Sequence, residues 1–402
     1  MTGRRTCWLT VAVLATGWFL AGAAGAADPL QDKALRTAIV PDADFLITVD
    51  AVGWRQAPIQ ARLEAIEAEM VAKAPAGDQG GLPQVSLDRR ISKFLETLGV
   101  AKDDLTAMAV SARLRGLDAQ QARLAPQSAL QQLGLVMAFR VAKPLSIAKV
   151  RLALANAAAE EGMELMFEKA DYKGAATLSV VRPDQAGKTT WMPSEFTFAL
   201  LDGDTAGYVG IDADVKAALD RFSTGTPAAL ASALKAAQDG ADQKALTRLF
   251  FIPGDALRAK ARDNAVKMQG QNPMFGGAMQ AVAGLQNITV GAKGTDRISL
   301  QIVGSFASAQ DALQMKTMVD AMVLGMGKMM LMQAVGRPIP LIESLTSRQD
   351  GAAVAIVADL TEEDCRALVA LQASGAHPAP PFPGLPAAPQ GAPAAAPAGP
   401  AN

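Results

Sequence analysis

The nine residues LTAMAVSAR, Leu105–Arg113, have a counterpart in LQNITVGAK, Leu285–Lys293, and both occur within the same succession of predicted strands and helices. Further segments recur around them in a common order. They are FLITVD (45–50) and LFFI (249–252), a second strand at 133–141 and at 297–306, a helix at 145–159 and at 308–333, and GAATLSVV (174–181) with GAAVAIVA (351–358). Because matching segments in one order are hard to obtain by chance, we interpret the chain as an internal duplication.

This pattern predicts an α+β fold of two related halves, each a mainly antiparallel sheet with helices on one face. Each copy has the order strand, helical stretch, strand, strand, helix, strand, which is the β-α-β-β-α-β order of ferredoxin-like units. The first copy carries an extra hairpin, Phe196–Leu201 and Thr205–Ile211, which turns at Asp202-Gly203. A helix from Asp212 to Phe222 follows it.

The first 27 residues have the three parts of a secretory signal. Arg4 and Arg5 form a basic start, Trp8–Leu20 is an apolar run, and the small residues Ala24-Gly25-Ala26 form a cleavage site. The apolar run is shorter than the roughly 20 residues that span a bilayer. We therefore expect a periplasmic or secreted protein without a transmembrane span after cleavage, the alternative being a retained anchor.

The last 29 residues, 374–402, contain no Asp, Glu, Lys or Arg and hold nine of the 23 prolines. Such a segment predicts a disordered Ala/Pro-rich tail, either passive or acting as a spacer in the cell envelope. A chain of 402 residues exceeds one ordinary domain. We expect two folded repeats, 28–225 and 226–373.

The composition excludes several kinds of chemistry. With 38 basic and 39 acidic residues, the chain does not attract nucleic acid. Its one histidine, His377, lies in the predicted tail, which removes Ser-His-Asp and Cys-His catalysis and histidine metal sites from the body. Once the signal is removed, Cys365 is the only cysteine, and we expect a buried, inert thiol. The sequence thus predicts a protein that is not an enzyme and has no cofactor.

Ser146 and Lys149 fit the S-x-x-K spacing of penicillin-recognising serine enzymes. On a helix these residues share a side, so Lys149 could accept a proton from Ser146. The partner motifs S-D-N and K-T-G are missing. Ser146 follows Pro144 and is equally suited to begin a helix. A serine–lysine hydrolase is therefore the alternative function, and helix capping the simpler interpretation.

Seven of the 17 methionines lie between residues 315 and 332, mostly at three- and four-residue spacing. This spacing is typical of a buried helix face, but a methionine face can also be an adaptable apolar binding surface or a soft Cu(I) site. The candidate ligand face consists of Met315, Met318, Met322, Met326 and Met329. Asp320 and Lys328 interrupt the run, which argues against a transmembrane helix.

Four acidic pairs, Asp42 with Asp44, Asp103 with Asp104, Asp202 with Asp204 and Asp212 with Asp214, could bind Ca²⁺ or cleave glycosides. All occur where turns or helix starts are expected, and Asp is favoured there for backbone hydrogen bonding. Turn chemistry is the interpretation that we prefer.

The stretch VPDADFLITVD, Val40–Asp50, with Ala57-Pro58 shortly after it, resembles the opening of exported, Ala- and Leu-rich bacterial proteins of planctomycete type whose function is uncharacterised. The resemblance implies an envelope or secreted protein and transfers no catalytic residue. Taken together, these features predict an exported, non-enzymatic protein of the cell envelope. It would bind a partner or an apolar ligand in a groove between the halves lined by the methionine helix.

Overall fold

The computed structural model describes residues 28–73, 100–113, 134–160, 164–181, 195–226, 235, 245–269 and 273–373. The predicted signal, 1–27, and the predicted tail, 374–402, lie outside these residues. The division into two repeats therefore stays a prediction for the chain as a whole.

Within the described residues, twelve strands form one antiparallel sheet, and the α+β class is confirmed. The strands are β1 (Phe45–Asp50), β2 (Leu105–Arg113), β3 (Gly134–Val141), β4 (Met166–Tyr172), β5 (Ala175–Val181), β6 (Glu195–Leu201), β7 (Ala206–Gly210), β8 (Thr247–Phe251), β9 (Leu285–Gly294), β10 (Ile298–Phe306), β11 (Thr346–Asp350) and β12 (Ala353–Leu360). Their order across the sheet is β11-β12-β10-β9-β8-β1-β2-β3-β7-β6-β5-β4.

The two predicted halves meet where β1 pairs with β8. Outward from this pair, β1-β2-β3 on one side corresponds to β8-β9-β10 on the other. The hairpin β6–β7 lies between β3 and β5, whereas in the second half β10 pairs directly with β12. This is the order that a duplication with one inserted hairpin would give. The hairpin turns through Asp202, Gly203 and Asp204, all with positive φ.

Eleven α-helices, one π segment and two short 3₁₀ helices, Pro29–Gln31 and Lys102–Asp104, are described. The α-helices and the π segment are α1 (Lys33–Thr37), α2 (Ala51–Gln56), α3 (Pro58–Lys73), α4 (Ile147–Glu160), α5 (Asp212–Thr224), α6 (Asp255–Gln269), α7 (Pro273–Ala283), α8 (Ala309–Met318), the π segment Val319–Gly327, α9 (Lys328–Val335), α10 (Pro340–Ser344) and α11 (Glu362–Ala373). Because α8, the π segment and α9 follow one another without a break, we call Ala309–Val335 the Met helix.

One row of directly paired residues crosses all twelve strands. From β11 to β4 it reads Ser347, Ile356, Ile302, Val290, Leu249, Ile47, Val110, Met137, Val209, Phe198, Leu178 and Lys169. Paired residues share a face of a sheet, so this row defines what we call the Ile47 face, and the opposite side is the Leu46 face. The ten inner members are apolar, and the two polar ones lie on the edge strands.

Helices cover both faces of the first half, so the prediction of helices on one face is wrong there. On the Ile47 face, α2, α3, α4 and α11 contribute side chains such as Trp54, Ile59 and Leu154 to the largest core cluster. On the Leu46 face, α1 and α5 contribute Leu35 and Val215 to a second cluster. The strands of this half are apolar on both sides, and only helices on both sides keep water from them. Full burial of each such side chain contributes about 2 kcal/mol.

The ferredoxin-like arrangement is also wrong. In a split β-α-β unit the two strands that flank a helix are parallel with a third strand between them. Here β1 and β2 flank α2 and α3 but are antiparallel neighbours, with Phe45 opposite Ala112. The other side of β1 is taken by β8, so the space that a split unit would need holds a strand of the other half.

Candidate apolar docking site

The Met helix begins and ends with clear capping interactions. The side chain of Ser308 accepts a hydrogen bond from the backbone N–H of Asp311 (3.1 Å) and donates one to its carboxylate (2.8 Å). At the other end Gly336 has φ of 75°, and its N–H donates to the carbonyl of Met332. Arg337 then pairs with Glu363, which joins this end to α11. The helix therefore has fixed ends.

One side of the Met helix is attached to the Ile47 face of the sheet. Ala312 and Val319 are buried, and Met315 packs against a small cluster that includes Phe306 and Val354. The side chain of Gln349 in β11 donates to the carbonyl of Ala309 (3.1 Å). These contacts place the helix over β10, β12 and β11, at one end of the sheet.

Two of the charged residues in the middle of the helix, Lys316 and Asp320, are engaged on this attached side. Lys316 and Asp320 form an ion pair, and Ser347 of β11 donates a hydrogen bond to the same carboxylate. The bond from Lys316, and then that from Ser347, lower the pKa of Asp320 below its usual 3.8. Asp320 thus interrupts the sequence pattern, but its charge is neutralised against the protein.

The most exposed residues of the Met helix are uncharged, and the charged residues Lys316, Asp320 and Lys328 are partly exposed. Among the described positions between residues 313 and 333, the exposed residues form what we call the exposed stripe: Leu313, Thr317, Ala321, Gly325, Met329, Met332 and Gln333. Leu313, Met329 and Met332 are 48%, 50% and 44% exposed. Steps of four residues rotate an α-helix face by about 40°, and the wider turns of the π segment offset part of this drift. A nearly straight apolar band results.

By length and composition the Met helix is able to cross a membrane. Its 27 residues contain an 18-residue window with mean hydropathy 1.3 and no more than two charged residues. Length and composition alone do not test the expectation that Asp320 and Lys328 exclude a membrane-spanning helix. Composition of this kind also occurs in buried core helices and signal sequences, but only 6% of this window is buried and it lies far from the N-terminus.

Beneath the helix, the apolar row of the sheet is only partly covered. Val290, Ile302 and Ile356 of the Ile47 face are each partly exposed, in contrast to Ile47 itself, which is buried. The Met helix contacts strands β10, β11 and β12, whereas the boundary of the halves is at β1 and β8. The predicted groove between the halves is therefore wrong in its location, because the sheet is continuous across the boundary.

The five methionines of the candidate ligand face differ in how far their side chains are buried. Met315 packs into the core, as helical spacing also predicted, and Met318 and Met326 are partly buried. Met329 lies on the exposed stripe, and nothing is described of the Met322 side chain. Sequence analysis missed Leu313 and Met332, although their spacing of three and four residues from other stripe members would have found them.

Ser146 and Lys149 lie on the first half, away from the Met helix. The carbonyl of Ser146 accepts a hydrogen bond from Val150 N–H at the start of α4 (3.0 Å), and the side chain of Lys149 is exposed. Within the described part of the chain no hydrogen bond joins the two side chains. The same part holds no group of three or more His, Cys, Asp or Glu that could bind a metal ion.

The predicted burial of Cys365 is confirmed, as is the location of most of the acidic pairs at turns or helix starts. Cys365 is buried in α11, and burial, then the nearby charges of Asp364 and Glu362, raises its pKa to about 11. Its thiol is therefore protonated and unreactive at neutral pH. The acidic pairs lie in turns, in a 3₁₀ turn and in the first turn of α5, apart from the buried Asp44.

Two buried charged residues at the boundary of the halves, Asp50 and Arg248, were not predicted; we call them the buried polar seam. Arg248 of β8 is 2% exposed and pairs with Asp28, the first described residue. Asp50 ends β1 and accepts from Gly53 N–H (3.0 Å), which caps α2, but its Oδ2 has no hydrogen-bond partner among the described residues. Burial raises the pKa of Asp50. A lone Arg or Asp in a strand gives no signal of its partner, so sequence could not reveal the seam.

No protein-family model matches the chain, and no curated protein matches it. One solved structure, "Structure of crystal form III of TP0453", is similar in outline, with a TM-score of 0.39 and 8% sequence identity. The alignment covers 84% of this chain and 97% of that one. Similarity at this level bears on neither the function nor the details of the fold.

Proposed function

We propose that this is an exported, non-enzymatic protein of the bacterial cell envelope that binds an apolar partner through the exposed stripe of the Met helix. The observation that carries the proposal is a helix apolar enough for a membrane with 6% of its most apolar window buried. Contiguous apolar surface of this kind marks interaction sites, because leaving it in water is unfavourable by about 25 cal/mol for each Å².

The way in which the helix is attached supports this proposal. A misplaced core helix would have its polar residues facing outward, whereas Lys316 and Asp320 are paired with each other, and Asp320 also with Ser347. The capped ends and the buried Ala312 and Val319 hold the stripe in place. The helix is therefore built into the fold with its apolar side outward.

The proposed location in the envelope rests on the predicted signal. The proposed lack of catalysis rests on the sequence between the signal and the tail, which contains no histidine and only one cysteine. Neither the Ser146–Lys149 pair nor a Cu(I) site gains support from a contact in the described residues. Both remain predictions that rest on the sequence alone.

The experiment uses the exported form of the protein, with its N-terminus determined by mass spectrometry, and the apolar dye 1-anilinonaphthalene-8-sulfonate. We expect enhanced dye fluorescence with the folded protein and its loss in the double variant Met329→Lys, Met332→Lys. The matched control is Met166→Lys, Leu152→Lys, because these side chains are 54% and 62% exposed on β4 and α4, in the other half. Equal fluorescence of both double variants and the unmodified protein would contradict the proposal.

A further inference from the structure

We infer that the apolar partner of the exposed stripe is a lipid bilayer, on which the Met helix lies parallel to the membrane surface. This inference rests on the proposed function and names the partner of the same site. It concerns how the stripe matches a bilayer in length, charge and residue type.

The length of the stripe suits a membrane surface better than a small-molecule site. Leu313 and Met332 are 19 residues apart in one helix, which corresponds to at most about 29 Å, the value for an α-helix throughout at 1.5 Å for each residue. A drug-sized ligand would cover only part of such a band. A bilayer surface can cover the whole band at once, as it does for amphipathic helices that lie in the interface.

The helix is oriented for lying on the membrane and not for crossing it. Crossing would place Lys316, Asp320 and Lys328 in hydrocarbon, where charged side chains are costly. It would also require the bond from Ser347 to Asp320 to break and Val319 to leave the sheet. With the helix in the plane of the surface, these contacts persist and the stripe alone enters the lipid.

The residue types on the stripe suit acyl chains. The aromatic and arginine hot spots of protein interfaces are absent from it, whereas methionine is common both to protein interfaces and to apolar surfaces of other kinds. The stripe contains Leu, Met, Ala, Gly, Thr and Gln and has no aromatic residue and no arginine. Its apolar members can dissolve in acyl chains without a matching pocket, and a bilayer requires no specific counterpart for them.

The charge of the protein further specifies the interaction. Without Arg4 and Arg5 of the predicted signal, the chain has 36 basic and 39 acidic residues, so it has no net attraction to anionic lipid. The stripe itself is uncharged. Binding should therefore depend on apolar contact and be insensitive to salt, unlike the binding of a polybasic surface.

The test is flotation of the exported form of the protein with vesicles of phosphatidylcholine, at 0.1 M and 0.5 M salt. We expect the protein to float with the vesicles at both salt concentrations, with no gain when phosphatidylglycerol is added. Met329→Lys, Met332→Lys should bind at least tenfold more weakly, and Met166→Lys, Leu152→Lys should bind as the unmodified protein does. Met329→Leu, Met332→Leu should also retain binding, because it removes the thioethers and keeps the apolar area.

The outcomes separate this inference from the proposed function. If the dye binds the stripe but the protein stays at the bottom of the gradient, the partner is not lipid and this inference is overturned, while the proposed function stands. Dimerisation through the stripe, detected as a concentration-dependent mass that Met329→Lys, Met332→Lys abolishes, together with absence of flotation, also overturns it. If neither dye nor vesicles bind, both proposals fail.

Discussion

Asp320 of the Met helix and Ser347 of β11 are joined by a hydrogen bond, and Ser347 is the β11 member of the apolar row that crosses the whole sheet. The Met helix is thus attached by a polar contact at the edge of an otherwise apolar face. Lys316 completes the contact by pairing with the same carboxylate. The bond fixes which side of the helix faces the protein, and so which side is left for a partner.

Replacing Ser347 by Ala should loosen the Met helix without unfolding the protein. Asp320 keeps its pairing with Lys316 but loses one hydrogen bond, and at a partly exposed site this costs only about 0.5 kcal/mol. We expect faster hydrogen exchange in residues 319–335. The control is Ser299→Ala, which removes a similar Ser–Asp bond, to Asp359, away from the helix. Equal exchange in both variants would show that the Ser347 bond does not hold the helix.

The same contact predicts a dependence on pH. Because the pKa of Asp320 is lowered in the folded protein, its interactions stabilise the fold at neutral pH and are lost as the pH falls below about 4. The protection factors of residues 319–335, which correct for the slower intrinsic exchange at low pH, should fall in that range. In Asp320→Asn the fall should be smaller, since no carboxylate remains to be protonated. A fall of the same size in this variant would exclude Asp320 as its cause.

Asp50 should behave in the opposite way, because burial raises its pKa. A carboxyl group that binds its proton more tightly in the folded state stabilises the fold at low pH and loses this contribution as the pH rises through the folded pKa. Asp50→Asn removes the buried charge and keeps the oxygen that accepts from Gly53. We expect a gain in the free energy of unfolding at pH 7 and none at pH 3, measured in urea. A loss at pH 7 would contradict this.

The pair of Asp28 with Arg248 should contribute strongly to stability. Asp28→Ala removes the carboxylate that pairs with the 2%-exposed Arg248, and losing a hydrogen bond to a charged group costs about 2 kcal/mol. The midpoint of urea denaturation should fall accordingly. Asp263→Ala, at an exposed position of α6, is the control and should leave the midpoint unchanged.

Much of the fold could be predicted from the sequence, because apolar strands at matching places in two copies give a strong signal. β2, β3, β9 and β10 begin and end within one residue of their predicted bounds. One strand of each copy was missed, β4 and β11, at the same place before the last matching segment. Both are polar edge strands, which lack the apolar pattern and are recognised only from their pairing.

Two features could not be predicted: the order of the strands in the sheet, and the side of the Met helix that faces the protein. Each has a physical reason. Pairings such as Ile47 with Leu249 join residues about 200 positions apart, and no local pattern selects them. Methionines at three- and four-residue spacing fit a buried face and an exposed face equally well, so the sequence does not select the side of the Met helix that faces the protein. The hydrogen bond between Asp320 and Ser347 shows which side of the Met helix faces the sheet, and this bond is seen only in the structure.

The thiol of Cys365 should resist modification in the folded protein. With a pKa of about 11 and a buried sulfur, it has little thiolate at pH 8. We expect no reaction with 5,5′-dithiobis(2-nitrobenzoic acid) within minutes in buffer, and one equivalent of reaction in guanidinium chloride. Rapid reaction of the folded protein would show that α11 opens readily from the sheet.

Oxidation of methionines offers a test of the lipid inference that needs no substitution. Hydrogen peroxide oxidises exposed thioethers first, so Met329, Met332 and Met166 should react before the buried Met108. Phosphatidylcholine vesicles should slow oxidation of Met329 and Met332 several-fold, because the stripe then lies in lipid, and leave Met166 on β4 unaffected. Peptide mass spectrometry measures all four sites in one sample. Equal protection of Met166 would indicate general adsorption, and protection of none would leave the Met helix in water.

Oxidation of the stripe before vesicles are added should weaken flotation, because a sulfoxide is polar where the bilayer requires an apolar side chain.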